Sequence, residues 1–405
     1  MKLSKLSQLF LVSLIGLVMA TWLTACNIVT IDYVYVTTSG GSSSGNSGQI
    51  YSYAADAETG ALRVAHPAVS SGGNSPIALA VDPTYANLYV ANEASNAVIH
   101  FAIASDGTLA QKDSLATSQP PVAIAVNAAG TYLYVLSGTT SATLTVYSLS
   151  SGTIGSPTAT ETFSLPSNPS DTLVPTAIVG LPNSSAVYAA VYDSSAYSPG
   201  CPSCVTSNAN PGWVFGFTVG SGGALKATTD SPYESGVKPS GMAVDATNRF
   251  VYVTDFASNE LIGYTVQSTG QLDFMVNGPF KTGNEPGSVV VDPRALYIYV
   301  TNALDSTVSA YSISLPTGTP SAALATTGST SNGTDSQPVA ITLDPSLGRY
   351  VYTANHLGDS ISGFRLNPNT GVLESTLATP YPTGEGPTAI AAVPHGNHAQ
   401  QTTAP

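Results

Sequence analysis

Short apolar runs separated by turn residues recur along most of the chain. In one copy, a run that opens at Pro76 ends at an Asp-Pro pair, a second run contains Tyr89-Val90, and a third run, residues 98–101, includes an aromatic residue. Runs of four to eight residues that are rich in Val, Ile, Tyr and Thr and are bounded by Gly, Pro, Asn and Asp are typical of β-strands. The pattern therefore predicts an all-β chain.

This unit occurs six times, at intervals of 45, 54, 64, 47 and 52 residues between successive opening prolines. Periods near 50 residues with four short strands each indicate a β-propeller, in which every unit forms one blade. The opening prolines are Pro76, Pro121, Pro175, Pro239, Pro286 and Pro338, and the second runs centre on Tyr89, Tyr134, Tyr188, Tyr252, Tyr299 and Tyr352.

The two ends of the chain supply the parts of one further unit. Residues 33–36 and 50–53 begin part-way through the pattern, and residues 386–393 form an isolated first run. If the C-terminal run becomes the innermost strand of the N-terminal blade, the ring closes and no sheet edge is left open at the junction. The sequence thus predicts a seven-bladed β-propeller of four-stranded antiparallel blades over residues 32–394.

The composition excludes two other classes of protein. The chain has 24 acidic and 11 basic residues, a net charge of -13 and only 9% charged residues, whereas a typical soluble domain has roughly 25%. It has no cluster of Lys and Arg that could neutralise phosphates, so nucleic acid is not an expected partner. A coiled coil or helical bundle would be rich in Glu, Lys, Arg and Leu rather than in Ser, Thr, Gly, Val and Tyr.

The N-terminus carries an export signal. Lys2 and Lys5 precede an apolar run at residues 9–23, which is too short for a membrane-spanning helix and has the layout of a secretory signal. The following Leu-Thr-Ala-Cys26 resembles the lipobox of bacterial lipoproteins, in which the small residues before the cysteine admit a peptidase and the thiol is diacylated. We predict a signal peptide at 1–25, a lipidated Cys26 with a tether at 26–31, and a flexible tail at 395–405. The expected location is the bacterial cell envelope, with the propeller anchored to a membrane and facing the periplasm or exterior.

Two cysteines remain after lipidation of Cys26. Cys201 and Cys204 form a Cys-Pro-Ser-Cys pair, and in an oxidising compartment a structural disulfide is the expected state. A redox-active pair would call for a βαβ context, and zinc would need two more ligands nearby. The pair lies in residues 193–211, an insertion relative to the repeat that we expect to shape a ligand or partner site.

The repeats resemble those of the seven-bladed lactonase-type propellers, the phosphogluconolactonase-like family. The resemblance rests on Tyr-Val-Ala/Thr-Asn at residues 89–92 and 299–302, on an upstream Val-Asp-Pro, and on Thr-Gly-x-Leu at residues 59–62 and 370–373. It covers about residues 31–394. It implies the propeller fold and a lactone-hydrolase activity, although similar repeats also occur in binding and surface-layer proteins.

Propeller geometry sorts the polar residues between two faces. The turns that follow the first strands contain Asp82, Asp292 and Asp344, each before a proline, and we interpret them as turn-forming residues on the face opposite the ligand. Arg249, Arg294 and Arg349 fall in the same turns. Arginine is the side chain best suited to binding phosphate, so its absence from the ligand face argues for a non-phosphorylated sugar lactone as the substrate of any hydrolase.

The ligand face offers amides, carboxylates and a few candidates for catalysis. His356 is the candidate general base, with Glu285 and Lys238 as a carboxylate and a cation near the channel mouth. Side chains at strand ends can instead cap turns, and a lone turn histidine can be structural. The residues predicted to bind a ligand are Asn92, Asp255, Asn302, Asn355 and Gln337.

Three functions are compatible with these residues. The favoured one is binding of a small molecule or a protein partner on the ligand face by a monomeric, membrane-anchored propeller. The first alternative is a lactone hydrolase that uses His356, Glu285 and Lys238. The second is a calcium-dependent hydrolase with oxygen ligands such as Asp255, Asn302 and Asp193.

Overall fold

The computed structural model describes residues 29–40, 47–165, 172–196, 211–321 and 331–396. These residues form seven antiparallel sheets arranged as the blades of a propeller, and the innermost strands of neighbouring blades lie side by side around a central channel. Blade 1 combines three N-terminal strands with the last strand of the chain. This is the predicted closure, and it confirms the seven-bladed, all-β architecture.

The first three blades have long outer strands. In blade 1 the order from the channel outward is β32 (Pro387–Pro394), β1 (Thr30–Thr38), β2 (Ser47–Asp56) and β3 (Leu62–Asn74). Blade 2 consists of β4 (Pro76–Val81), β5 (Asn87–Asn92), β6 (Ala97–Ile103) and β7 (Leu109–Ala116). Blade 3 consists of β8 (Pro121–Val126), β9 (Tyr132–Ser137), β10 (Thr143–Ser150) and β11 (Thr153–Thr162).

In blades 4 to 7 the outer strand is divided into two short pieces that both pair with the third strand. Blade 4 consists of β12 (Leu173–Gly180), β13 (Ala186–Asp193), β14 (Gly212–Val219), β15 (Leu225–Ala227) and β16 (Tyr233–Glu234). Blade 5 consists of β17 (Pro239–Val244), β18 (Phe250–Asp255), β19 (Glu260–Val266), β20 (Leu272–Phe274) and β21 (Phe280–Lys281). Blade 6 consists of β22 (Pro286–Val291), β23 (Tyr297–Asn302), β24 (Thr307–Ser314), β25 (Thr319–Ser321) and β26 (Asn332–Gly333). Blade 7 consists of β27 (Pro338–Leu343), β28 (Tyr350–Asn355), β29 (Ser360–Leu366), β30 (Leu373–Ser375) and β31 (Tyr381–Pro382).

The inner strands follow the predicted pattern with one exception. Five of the six predicted opening prolines are the first residues of inner strands, and Pro387 opens the seventh. In blade 4 the strand starts two residues earlier, at Leu173, because Leu173 and Val174 also pair with β13. The register shift that follows Pro175 also follows the opening prolines of blades 2, 3, 5, 6 and 7. A proline has no amide hydrogen to donate, which fits its place at this irregular point of the pairing.

The repeated tyrosines connect each blade to the next. In six of the seven second strands, the buried tyrosine donates its hydroxyl to a glycine carbonyl in the neighbouring blade at 2.6–2.9 Å. The accepting glycines all have φ between 68° and 85°, in the left-handed region that glycine adopts without steric cost. The pairs are Tyr35 with Gly107, Tyr89 with Gly152, Tyr188 with Gly270, Tyr252 with Gly318, Tyr299 with Gly371, and Tyr352 with Gly60.

Aspartates in the turns after the inner strands hold these hairpins together. Asp82 accepts hydrogen bonds from the amides of Ala86 and Asn87, both at 3.0 Å. Asp292 and Asp344 accept from amides of their own turns in the same way. The structure therefore gives these aspartates the turn-forming role that the sequence indicated. We call the face that carries these hairpins the bottom face, and the opposite face the top face.

The remaining secondary structure is minor. The described residues contain a single short 3-10 turn, Ser221–Gly223, and otherwise consist of strands and connecting loops. None of the helical structure in this part of the chain is long and apolar enough to cross a membrane.

Candidate functional site

Two sets of loops meet around the channel on the top face. In every blade, the residue at or just after the end of the second strand donates its amide hydrogen to a carbonyl just before the inner strand, at 2.8–3.0 Å. The channel mouth is thus framed by a repeated backbone contact. The donor and acceptor pairs, from blade 1 to blade 7, are Ser39 and Gly386, Glu93 and Ser75, Gly138 and Pro120, Ser194 and Thr172, Phe256 and Lys238, Ala303 and Glu285, and His356 and Gln337.

The charged and amide side chains of this frame are concentrated in blades 5 to 7. Blades 1 to 3 place Gly386, Ser75 and Pro120 at the position before the inner strand, whereas blades 5 to 7 place Lys238, Glu285 and Gln337 there. Blade 7 adds His356 at the partner position. We call the group of Lys238, Glu285, Gln337 and His356, together with the rings of Tyr192 and Phe256, the polar sector. All three residues predicted to be catalytic therefore belong to three consecutive blades.

Lys238 lies against two aromatic rings. Its Nζ atom is 4.7 Å from the ring centroid of Phe256 and 5.5 Å from that of Tyr192, both within the range of a cation–π interaction. Burial lowers the pKa of the Lys238 amine, and the carboxylate of Glu285 partly offsets this effect. The sector thus combines a cation with aromatic surface and an acidic group from the next blade.

Glu285 and Gln337 occupy equivalent backbone positions. Both have left-handed φ values, 54° and 58°, immediately before a proline. Such values are unusual for residues other than glycine, and here they are held by hydrogen bonds. The amide of Glu285 donates to Asn259 Oδ1 at 2.8 Å, and its carbonyl accepts from the amide of Ala303. These bonds are made by the backbone of Glu285. Within the described residues, the side chains of Glu285 and Gln337 make no hydrogen bond.

His356 is held by its backbone and by one ring nitrogen. The Nδ1 atom lies 3.0 Å from the carbonyl oxygen of Pro387 in blade 1. A carbonyl oxygen can only accept a hydrogen bond, so Nδ1 carries the hydrogen and Nε2 is the basic nitrogen of the neutral ring. This is the arrangement that a general base needs, because the second nitrogen is oriented by the first.

Four of the five residues predicted to bind a ligand are fully buried and hydrogen-bonded within the protein. Asp255 accepts from the amides of Val237 and Lys238 at 2.7 and 3.0 Å, and so fixes the backbone of Lys238. Asn302 accepts from the amide of Gly283 at 3.0 Å, Asn92 bonds to Ser71 in the neighbouring blade 1, and Asn355 bonds to two serines of its own blade. These contacts correspond to the turn-capping alternative, and direct ligand binding by these four side chains stays a prediction.

The residues considered for calcium do not fit a common metal site. Asp193, Asp255 and Asn302 lie on blades 4, 5 and 6, and each already accepts hydrogen bonds from loop amides. Within the described ranges, no group of three or more His, Cys, Asp or Glu side chains could hold a metal ion.

The arginines and two sizeable cavities lie away from the polar sector. A cavity of about 530 Å³ opens between blades 5 and 6 at the outer rim, lined by residues that include Phe280 and Tyr311. Another, of about 680 Å³, lies on the bottom face and includes Arg349 and Arg365 in its lining. Among the described residues, neither cavity is lined by a residue of the polar sector.

Three predicted residues and most of the insertion lie outside the described part of the chain. Cys26, Cys201 and Cys204 are among them, as are residues 197–210 of the insertion. Lipidation of Cys26 and a disulfide between Cys201 and Cys204 therefore stay predictions from the sequence.

The sequence interpretation missed the two aromatic members of the polar sector. Phe256 follows the last residue of β18, at the position held by Glu93, Ala303 and His356 in other blades. An aromatic residue at a position that is otherwise small or polar was the available signal. Tyr192 precedes the last residue of β13 and carried no comparable signal, since its approach to Lys238 depends on the packing of blade 4 against blade 5.

The fold and the arrangement of its repeats define a lactonase-type β-propeller. The model of the family described as "Lactonase, 7-bladed beta-propeller" matches residues 10–123, 33–173 and 217–399. The chain belongs to this family.

Solved structures show the same fold at low sequence identity. A Bacteroides fragilis protein described as a candidate 6-phosphogluconolactonase is 18% identical, with a TM-score of 0.71 over 91% of this chain and 99% of that chain. A periplasmic gluconolactonase of Pseudomonas aeruginosa is also 18% identical, with a TM-score of 0.68 over 89% of this chain and 99% of that chain. Comparison with curated proteins finds no match.

Proposed function

We propose that this protein is an exported, lipid-anchored propeller whose polar sector binds a small, hydroxyl-rich ring compound such as a non-phosphorylated sugar lactone. The observation that carries the proposal is the position of the Lys238 amine over the rings of Phe256 and Tyr192, next to Glu285. Aromatic faces pack against the apolar faces of a ring, while the charged and amide groups bind its hydroxyl groups.

The location of the arginines supports an uncharged ligand. All five arginines are among the described residues, and the sequence or contacts of each place it at or near the bottom face. A phosphorylated substrate would need a forked cation at the top face. Lys238 is a point charge with a lowered pKa, which suits a hydrogen bond to a hydroxyl or carbonyl oxygen better than charge neutralisation of a phosphate.

A titration of glucono-δ-lactam, a stable analogue of a sugar lactone, tests binding directly. We expect saturable binding by calorimetry, with affinity reduced about tenfold in Lys238→Met and in Phe256→Ala. Lys281→Met is the matched control, since Lys281 is an exposed lysine that pairs with Glu260 at 2.7 Å. Equal affinities for Lys238→Met and the unchanged protein would contradict the proposed site.

Hydrolysis of the bound lactone is a second candidate function, favoured by the orientation of His356. With Nδ1 bonded to the Pro387 carbonyl, Nε2 could take a proton from an attacking water, and Lys238 could stabilise the oxyanion that develops. The names of the Bacteroides and Pseudomonas proteins are consistent with such an activity. A panel of lactones, assayed with and without EDTA, would detect it and would reveal a calcium requirement.

Anchoring through Cys26 is the remaining part of the proposal. It rests on the sequence of the first 26 residues, which precede the first strand of blade 1. Mass spectrometry of the N-terminal peptide should show a diacylated cysteine, and Cys26→Ser should release the protein from the membrane fraction. An unmodified Cys26 in protein purified from its native membrane would contradict it.

A further inference from the structure

The bottom face carries a cavity whose lining differs in chemistry from the polar sector. A cavity of about 680 Å³ lies where blade 7 meets blade 1, and its lining includes Arg349, Arg365, Tyr350 and Glu58. It lies on the face opposite the polar sector and shares no residue with it.

The backbone holds both arginines in place. Arg349 precedes β28, where its amide donates to Asp344 Oδ2 at 3.2 Å and its carbonyl accepts from the amide of Leu366 at 2.8 Å. Arg365 lies on β29, directly opposite Tyr350 in the antiparallel register. Burial raises the pKa of Tyr350, the charges of Arg365 and Arg349 partly oppose this rise, and all three residues line the same cavity.

Tyr350 also connects the two blades that form the cavity. Its hydroxyl donates to the carbonyl of Ala57 at 3.0 Å. Ala57 and Glu58 belong to the hairpin between β2 and β3 of blade 1, so this bond holds the Glu58 side of the cavity against the arginine side.

The two arginines differ from the other three in their partners. Arg294 Nε bonds to Asp292 at 2.7 Å, Arg63 Nη2 bonds to Thr30 at 2.7 Å, and Arg249 Nε bonds to Thr247 at 2.8 Å. In the described part of the chain, the guanidinium groups of Arg349 and Arg365 have no hydrogen bond and no acidic partner within salt-bridge distance.

A third arginine reaches the edge of the cavity, and its charge is paired with Asp292 at 2.7 Å. Arg294 Nη1 donates to the carbonyl of Pro368 at 3.0 Å, and Pro368 is part of the cavity lining. Among the described residues that line the cavity, two are arginines and one, Glu58, is a carboxylate. Asp56 and Asp344 lie outside the lining, and their carboxylates also act on Tyr350 by raising its pKa. The lining itself carries a net positive charge, although the whole chain has a net charge of -13.

We infer that this cavity binds a phosphate group. Two guanidinium groups that make no hydrogen bond or salt bridge within the described residues offer forked donors to several oxygens of one tetrahedral anion. The phosphate could belong to a soluble phosphoester or to a lipid headgroup. The second source has structural support, since β1 begins at this face and Arg63 bonds to its first residue, Thr30, so that the preceding residues join the propeller there. The choice of a lipid headgroup as the source rests on the proposed lipid anchoring, whereas the phosphate site itself does not.

Titrations of the full-length chain in detergent micelles separate these sources. The probes are inorganic phosphate, glycerol 3-phosphate, and mixed micelles that contain phosphatidic acid or, as a neutral control, phosphatidylcholine. Binding of the soluble probes supports a general phosphate site, and binding of phosphatidic acid alone supports a lipid headgroup site. If none of the three phosphate probes binds more tightly than phosphatidylcholine, the inference is wrong.

Substitutions then test the residues. We expect Arg349→Gln with Arg365→Gln to weaken binding at least tenfold, and Glu58→Gln to strengthen it about twofold to threefold, by removing the repulsive carboxylate. Arg249→Gln is the matched control, an arginine of the same face that has an internal partner, and should leave the affinity unchanged. Unchanged affinity in the double variant, with its thermal unfolding unaltered, would overturn the assignment. Lys238→Met should not alter phosphate binding. The phosphate titrations therefore test the bottom-face site independently of the ligand site proposed on the top face.

Discussion

The Nδ1 atom of His356 in blade 7 lies 3.0 Å from the carbonyl oxygen of Pro387 in blade 1. This contact spans the junction at which the C-terminal strand closes the ring, so the ring nitrogen is oriented by the closure of the fold. It leaves Nε2 as the basic nitrogen at the channel mouth.

For the hydrolytic candidate, the contact makes His356 the residue on which turnover depends. His356→Ala should lower the rate of lactone hydrolysis by at least about 100-fold, the usual contribution of a general base. The midpoint of thermal unfolding should change little, since the histidine side chain makes one hydrogen bond at the surface. Turnover that survives in this variant would exclude His356 as the base.

The ring of tyrosine hydroxyls predicts a difference in stability between two equivalent residues. Tyr252 donates to the carbonyl of Gly318 at 2.6 Å, whereas the buried hydroxyl of Tyr134 has no hydrogen-bond partner among the described residues. Tyr252→Phe should lower the free energy of unfolding by about 1–2 kcal/mol, and Tyr134→Phe should leave it unchanged or raise it. Urea denaturation of both variants measures the difference, and equal losses would contradict it.

The buried carboxyl group of Asp32 predicts a pH dependence of stability. Burial raises its pKa well above the ordinary value, the nearby carboxylate of Asp344 raises it further, and Arg349 partly offsets the rise. The folded protein therefore binds this proton more tightly than the unfolded chain does. The resulting stabilisation is fully present below the unfolded pKa of about 3.9 and is lost as the pH rises through the folded pKa.

Asp32→Asn removes the charged form and with it this pH dependence. We expect the variant to be more stable than the unchanged protein by about 1 kcal/mol or more near neutral pH, and to differ little from it near pH 4. Chemical denaturation at several pH values provides the measurement. A variant that is destabilised equally at all pH values would contradict the interpretation.

His100, Asp113 and Asn87 form a hydrogen-bonded network in blade 2. We expect His100 and Asp113 to contribute an interaction energy that a double-mutant cycle can measure. His100 Nδ1 lies 2.6 Å from Asp113 Oδ1, and its Nε2 lies 2.8 Å from Asn87 Oδ1. Asp113→Asn should cost about 1–3 kcal/mol, because it leaves a buried donor without its charged acceptor. A double-mutant cycle with His100→Gln should show that the two losses are not additive. Additive losses would mean that the pair contributes no interaction of its own.

Much of the fold could be predicted from the repeat, for a physical reason. The tyrosine bonds to the next blade in six of the seven blades, and an aspartate holds the turn after the inner strand in several of them, so the sequence repeats wherever the contact repeats. Blade 4 differs from the repeat: its inner strand starts at Leu173 rather than at Pro175, because Leu173 and Val174 also pair with the second strand, β13. The division of the outer strands in blades 4 to 7 was also missed, because pieces of two or three residues have no periodicity to detect.

The candidate site was only partly predictable. Residues fixed by the chain direction could be assigned to a face, and Lys238, Glu285 and His356 indeed lie on consecutive blades of the top face. Whether a polar side chain at a strand end points into the channel or caps its own loop depends on packing. Four of the predicted ligand-binding residues are buried and hydrogen-bonded within the protein: Asn92, Asp255, Asn302 and Asn355. No feature of the sequence at these positions indicates whether the side chain is buried or exposed.

The central claim is that the polar sector binds a ligand through Lys238, and one titration tests it most directly. The titration measures the binding of glucono-δ-lactam by calorimetry to the unchanged protein, Lys238→Met and Lys281→Met. We expect saturable binding to all three, with an affinity that is lower by about tenfold or more in Lys238→Met alone. The same affinity in all three proteins, or no saturable binding in any of them, would contradict the account.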